Sequence, residues 1–308
     1  MDKAVLWLLL GLFATGAGGA EAQELEPRKY LSLPAGTNLL AVGYAWSNGN
    51  VLLDPVLPIE NLDGSIQLGF AQFVHGFSLF GRSAKFAAMV PWSAGDWAGT
   101  LDGQFETQRA SGMGDAHVGL EWNLYGAPVG EGAIIRRDEP ATVVGASLRL
   151  SLPTGRYDSA ELLNLGSNRY TLRTEIGVAH TRGRWIYEGM ASVWLFTDND
   201  DFLEGNTLSQ RPLYVAKAGV VYSFRRPGLW TSFGVGFGDG GQTRVNGVPR
   251  NTQQNNWRFS ASLAWPLAAR HGLRLTYSTG ITRKAGSDFD TVALAYQYAW
   301  GGAYVSPQ

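Results

Sequence analysis

A period of two limits this chain more than any other feature. In stretch after stretch, apolar residues take every second position and small or polar residues fill the gaps. Leu40, Val42, Tyr44 and Trp46 alternate with Ala41, Gly43 and Ala45. Val118, Leu120, Trp122 and Leu124 alternate with His117, Gly119, Glu121 and Asn123. Val144, Ala146, Leu148, Leu150 and Leu152 alternate with Gly145, Ser147, Arg149 and Ser151. Tyr170, Leu172, Ile176 and Val178 face away from Arg169, Thr171, Arg173 and Glu175. The pattern returns at 214–222, 257–265, 273–281 and 292–300, and more weakly at 64–75, 83–92, 184–197 and 228–238. A strand turns successive side chains to opposite faces, so each stretch predicts a strand with one apolar and one polar face. The expectation is an all-β chain of about twelve strands.

Two-faced strands can build a soluble sandwich or a membrane barrel, and the connections separate the two. Long polar connections near 47–63, 92–114, 153–167, 198–209, 239–254 and 282–289 alternate with others near 76–82, 125–140, 181–184, 225–228 and 266–271. All of the second set but 125–140 are short. An up-and-down barrel in an outer membrane sorts its loops this way, and a sandwich has no reason to. After residue 22 no apolar run approaches the ~20 residues of a membrane helix, whereas strands of about ten residues match a tilted bilayer span. Aromatic residues, 12% of the chain, cluster near strand ends, among them Trp46, Trp92, Tyr214, Tyr222, Trp257, Trp265 and Trp300. Rings that are half apolar and half wet collect at the two membrane interfaces. The expected fold class is therefore all-β, a transmembrane antiparallel up-and-down β-barrel with lipid as its outer partner.

Residues 1–22 have the form of a signal peptide. Lys3 is the positive start, residues 4–13 are an apolar run, and Ala20-Glu21-Ala22 offers a small-x-small cleavage site. The run is too short to span a bilayer. The expected domains are a signal peptide, 1–22, and an outer-membrane barrel, 23–308. Export followed by amphipathic strands predicts the outer membrane of a Gram-negative cell.

Several chemistries are excluded or thinly supported. The chain has no cysteine, which removes disulfides, thiolate metal sites and Cys nucleophiles. A formal net charge of -1 with no long basic block argues against a nucleic-acid partner. Gly236-x-Gly238-x-x-Gly241 matches a dinucleotide fingerprint in letters only, because no helix pattern follows. Asp198, Asp200 and Glu204 resemble a calcium loop, but Phe202 stands where an oxygen ligand is needed, and a solvated acidic loop is the expectation. His75, His117, His180 and His271 fall on different strands or turns, so neither a metal nor a cofactor is expected. A membrane-embedded serine hydrolase needs Ser beside His on the lipid face. Only His180 is a candidate, and no outward serine lies on the strand beside it.

The inward positions carry the candidate site. They hold Lys85, Arg149, Arg173, Lys217, Arg258 and Arg274, with Glu121, Glu175 and Glu188 as the acids. These charges can line a narrow polar path for small organic solutes, with a mild preference for anions. They can equally pair across the barrel and fill it, which would suit a structural or adhesive surface protein.

Seven short motifs in order carry a resemblance to a known family. They are Gly81-Arg82-Ser83-Ala84-Lys85, Leu152-Pro153-Thr154-Gly155-Arg156-Tyr157, Leu165-Gly166-Ser167-Asn168-Arg169-Tyr170, Phe196-Thr197-Asp198-Asn199-Asp200-Asp201-Phe202, Ser209-Gln210-Arg211-Pro212-Leu213-Tyr214, Gly240-Gly241-Gln242-Thr243 and Asp288-Phe289-Asp290-Thr291. In these the chain resembles the outer-membrane family described as phenol meta-pathway degradation proteins. The resemblance implies an outer-membrane barrel that takes up aromatic compounds.

Overall fold

Hydrocarbon offers no partner to a backbone N–H or C=O, so strands that cross a bilayer must close on one another. The computed structural model describes residues 26–50, 59–101, 104–126, 140–161, 164–282 and 288–302, and the expected signal peptide lies outside them. Among the described residues there is no helix. The strands are β1 Thr37–Asn50, β2 Ile59–Leu79, β3 Arg82–Leu101, β4 Gln104–Met113, β5 Ala116–Tyr125, β6 Ala141–Leu152, β7 Thr171–Arg182, β8 Trp185–Phe196 and β9 Asn199–Phe202. They continue as β10 Asn206–Gln210, β11 Leu213–Ser223, β12 Trp230–Gly240, β13 Thr243–Val245, β14 Val248–Pro249, β15 Gln254–Ala268, β16 His271–Thr282 and β17 Asp288–Gly301.

Twelve strands, in the order β2-β1-β17-β16-β15-β12-β11-β8-β7-β6-β5-β3, pair antiparallel, and the β2–β3 ladder closes the ring. The barrel has a turn end, where β2 passes into β3 through Phe80 and Gly81, both at positive φ (48° and 72°). Such two-residue turns match the twist of the strands they join. At the opposite, loop end, β4 pairs with the far half of β3, from Trp92↔Met113 to Leu101↔Gln104. A separate four-stranded sheet, β14-β13-β10-β9, also forms there. The expected connections 92–114, 198–209 and 239–254 thus hold strands of their own. These lack two-faced alternation because no lipid demands an apolar face beyond the bilayer.

Faces follow the pleat. Leu148, Leu263 and Leu294 are 50%, 40% and 51% exposed and point outward. Leu263 faces Leu275 across the ladder, and Leu275 faces Leu294, so the lipid side carries a continuous leucine row. At the turn end Trp185 and Tyr222 meet at a tilt with centroids 4.7 Å apart, Tyr222 meets Phe224 edge to face at 5.1 Å, and Tyr298 stacks on Trp300 at 5.5 Å.

The motif residues of the loops tie that end together. The Asp115 carboxylate accepts from Gly155 N at 2.9 Å, Ser167 N at 2.9 Å and Ser167 Oγ at 2.6 Å. Tyr157 OH donates to Asp201 O at 3.0 Å and accepts from Asn199 Nδ2 at 2.9 Å. Phe202 and Leu208 pack with Ile66, Trp97 and Ala110, which belong to strands on the other side of the ring. An apolar roof therefore crosses the loop-end mouth. Phe202 is part of it, and the segment expected to be an acidic loop is here strand β9.

Leu148→Arg is expected to cost about 2–4 kcal/mol in urea unfolding of the barrel in lipid vesicles, the range for a cation near the bilayer midplane. A neutral result would put Leu148 in the lumen and turn every face over.

Candidate functional site

The structure places all nine sequence-predicted lumen residues on the inner wall. Lys85 and Arg173 are each 2% exposed, and Glu121, Glu175, Glu188, Lys217, Arg258 and Arg274 are also buried. Arg149 keeps 15% of its side chain accessible. They do not form one group. Lys85 pairs with Glu121 at 2.6 Å. Glu175 gathers Lys217 Nζ at 2.8 Å and Arg173 Nη2 at 3.2 Å. Arg149 faces Arg173 across the β6–β7 ladder. Arg258 lies apart from these, its guanidinium 3.8 Å over the Phe289 ring. Arg274 sits on β16 opposite Ala264 and Ala295.

What fills the lumen between them is the segment ahead of β1. Residues 26–31 are buried inside the barrel. Glu26 accepts from Arg149 Nη2 at 2.6 Å and lies 3.4 Å from Arg173 Nη1. Lys29 Nζ reaches Glu175 at 2.8 Å and Glu26 at 3.2 Å. The Arg28 amide donates to both Glu188 oxygens, at 2.8 and 3.1 Å. Asn123 Nδ2 donates to Tyr30 O at 3.1 Å, and Lys85 Nζ donates to Lys29 O. Below these, Leu31 packs with Ile186, Val221 and Trp230, and Leu33 with Leu39, Val74 and Ala299. The segment thus carries charged contacts where the wall is charged and apolar ones toward the turn end.

Tyr30 is wholly buried. Its ring lies against Gly145 and Gly177, which face each other across the β6–β7 ladder. A Cβ at Gly145 would fall 2.2 Å from Tyr30 Cδ1, and one at Gly177 would fall 2.3 Å from Cε2. Any larger residue at either position would collide with the ring. Tyr30 OH donates to Glu175 Oε1 at 3.2 Å. Burial and the neighbouring Glu175 carboxylate push the Tyr30 hydroxyl well above its ordinary value, so it stays protonated.

Beside the segment, the space bounded by Glu26, Gln72, Met89 and His117 has a volume of about 20 Å³, room for one water. A larger hollow of about 770 Å³ lies on the wall's outer side, over Ala146, Ala191 and Ala216, between Trp122 and Phe237. It faces lipid and is not part of the lumen. Each histidine has a different partner: His75 with Asn38, His117 with Ser151, His180 with Thr142 and His271 with Tyr296. Among the described residues no group of three or more His, Asp or Glu could hold a metal ion. Gly236 to Gly241 closes strand β12 and leads into β13, with no helix between.

Sequence reasoning passed over Glu26, Arg28, Lys29 and Tyr30. Their signal was present: three charges and a tyrosine lie ahead of the first alternating stretch, in a segment without strand period.

Residues 44–298 match the family model described as "Putative MetA-pathway of phenol degradation". That match covers most of the chain. This chain belongs to the phenol MetA-pathway family. Six of its seven motifs lie at the loop end, and the motif at 81–85 lies at the turn end. Among solved structures, an outer membrane channel from Pseudomonas putida F1 superposes with a TM-score of 0.74 at 20% identity, covering 90% of this chain and 100% of that one. The transport unit of the autotransporter AIDA-I from Escherichia coli superposes with a TM-score of 0.51 at 9% identity, covering 92% and 95%. At these identities the likeness is one of fold, and the fold is that of a Gram-negative outer-membrane barrel. Among curated proteins no sequence matches this family member.

Two outcomes are expected from the ion-pair geometry. Glu175→Gln leaves Lys29, Arg173 and Lys217 together without their shared carboxylate. It should cost about 3–5 kcal/mol, read as a lowered unfolding midpoint, and an unchanged midpoint would contradict the network. The second concerns pH. Burial raises the Glu26 carboxyl, but Arg149, Lys29, Arg173 and Lys217 outweigh it and hold the group well below its ordinary 4.5. A group depressed in the folded state stabilises above its unfolded value and loses that contribution only as pH falls through the folded value. Hydrogen exchange of residues 26–34 should therefore stay slow at about pH 5 and quicken only well below the ordinary carboxylate range. Free exchange at about pH 5 would contradict this seating.

Proposed function

We propose that this protein is a passive outer-membrane channel for small organic solutes, aromatic compounds among them, closed at rest by its own N-terminal segment. The observation that carries the reading is what occupies the lumen. Wall side chains, Phe70, Met89 and Trp194 among them, fill part of it. A strand-free segment takes space they leave, held by ion pairs and hydrogen bonds that water can replace. Two findings support the reading. The family description names phenol degradation, and the Pseudomonas putida F1 protein of like fold is an outer membrane channel.

In this reading residues 1–22 are removed on export and the barrel domain begins at residue 23. Lys85, Glu121, Arg149, Arg173, Glu175, Glu188, Lys217, Arg258 and Arg274 line the path. Guanidinium groups offer planar donors to carboxylates and stack on rings, which suits small aromatic acids and phenols. Arg173 already stands 5.6 Å over Trp194. The channel carries out no chemistry. Three histidines, not His180 alone, share the outward phase, and His75, His180 and His271 are bonded to Asn38, Thr142 and Tyr296 rather than to a serine. A second reading, a closed structural or adhesive barrel, is favoured by the filled lumen.

Liposome swelling separates the two. Phenol and benzoate are expected to enter faster than a neutral sugar of similar size, and Arg173→Ala with Arg258→Ala should weaken the preference for benzoate. Exclusion of all three solutes by correctly folded protein would favour the structural barrel.

A further inference from the structure

The contacts around Tyr30 describe a binding site for a small ring as well as an anchor for a chain. The ring straddles the Gly145–Gly177 pair, with one edge over each glycine. The wall therefore presents bare, flat backbone to one aromatic face. Val143 and Met190 pack beside the ring and supply apolar sides. The Glu175 carboxylate stands at the hydroxyl end as acceptor. Floor, sides and acceptor all address the ring and its hydroxyl. The backbone that bears the ring is held elsewhere, by Glu188 at the Arg28 amide and by Asn123 at the Tyr30 carbonyl. A tyrosine side chain is a para-alkyl phenol, so a free phenol fits what this site recognises.

We propose that the Gly145–Gly177 shelf is a lumenal subsite for a small phenol, that Tyr30 occupies it in the closed barrel, and that a permeating phenol competes with Tyr30 and thereby helps unseat the segment. This rests on the channel reading and names both a ligand class and a control for it. The competition has a scale. A ring tethered by a short segment acts at an effective concentration on the order of millimolar, so free phenol must reach that range. The ligand is the neutral phenol, because the acceptor is a carboxylate.

The absence of native cysteine makes a single introduced thiol a clean reporter. Pro27 is buried with the segment. In full-length Pro27→Cys protein, maleimide labelling reads how often the segment leaves. With phenol at about ten times its dissociation constant, the open population and the labelling rate should rise roughly tenfold. Cyclohexanol, which has the hydroxyl but no flat face, should have little effect. Gly145→Ala and Gly177→Ala, each combined with Pro27→Cys, should label fast without phenol and no longer respond to it. If either fails to fold, Tyr30→Ala serves instead. Phenol should bind that variant more tightly than it binds the wild type in calorimetry. Labelling that phenol leaves unchanged, or that cyclohexanol raises equally, would overturn the subsite. So would equal phenol affinity in Tyr30→Ala and wild type. Phenol permeation measured on the same protein keeps the two claims apart. Permeation with phenol-blind labelling overturns the subsite and leaves the channel standing. Phenol-dependent labelling without permeation supports the subsite and overturns the channel.

Discussion

A peptide group in hydrocarbon must find its hydrogen-bond partner within the protein, and the rest of this structure depends on that demand. It forces the strands into a closed ring and puts one face of each in lipid. It also encloses a volume that must be filled or wetted. Twelve strands make a lumen wider than this wall fills. Gly145 and Gly177 face inward as bare backbone, and Ser147, Ser192 and Ser232 are small. The N-terminal segment takes the space those small residues leave.

Charge sets how firmly it does so. Arg149 and Arg173 are neighbours across β6 and β7, and alone they would repel in a dry interior. Glu26 answers both of them, and Lys29 completes the coordination of Glu175. Buried ion pairs contribute little net stability, because desolvation offsets most of their attraction. If the segment withdraws, water enters and rehydrates the same groups. The two states therefore need not differ greatly in free energy, although the closed one is rich in contacts.

The loop end obeys different physics. Outside the bilayer no apolar face is required, and the connections are shaped by backbone pairing and buried polar hubs. Asp115 binds three donors from the segment that joins β6 to β7. Asn199, 1% exposed, links that segment to β9 through Tyr157. Phe202 and Leu208 then reach Ile66 and Trp97 across the mouth. The barrel is thus covered from both ends, by a roof made of loops and by a plug made of the segment ahead of β1.

The period of two in the sequence determined the fold class, the number of barrel strands and the phase of their faces, because lipid outside and charge inside leave a residue no choice of side. Leu148 outward and Arg149 inward could be read from their neighbours alone. Inward placement of Lys85, Glu121, Arg149, Arg173, Glu175, Glu188, Lys217, Arg258 and Arg274 was legible for the same reason. Which of them meet was not, because a pair such as Lys29 and Glu175 is set by shear, strand order and depth, and none of these leaves a local pattern. The strands β4, β9, β10, β13 and β14 were hidden because water accepts either face of a hairpin. Only the tertiary structure decided that residues 26–34 enter the lumen and that Gly145 and Gly177 make room for Tyr30. A short segment with no period of its own takes its shape from the cavity that receives it, and that cavity exists only once the ring has closed.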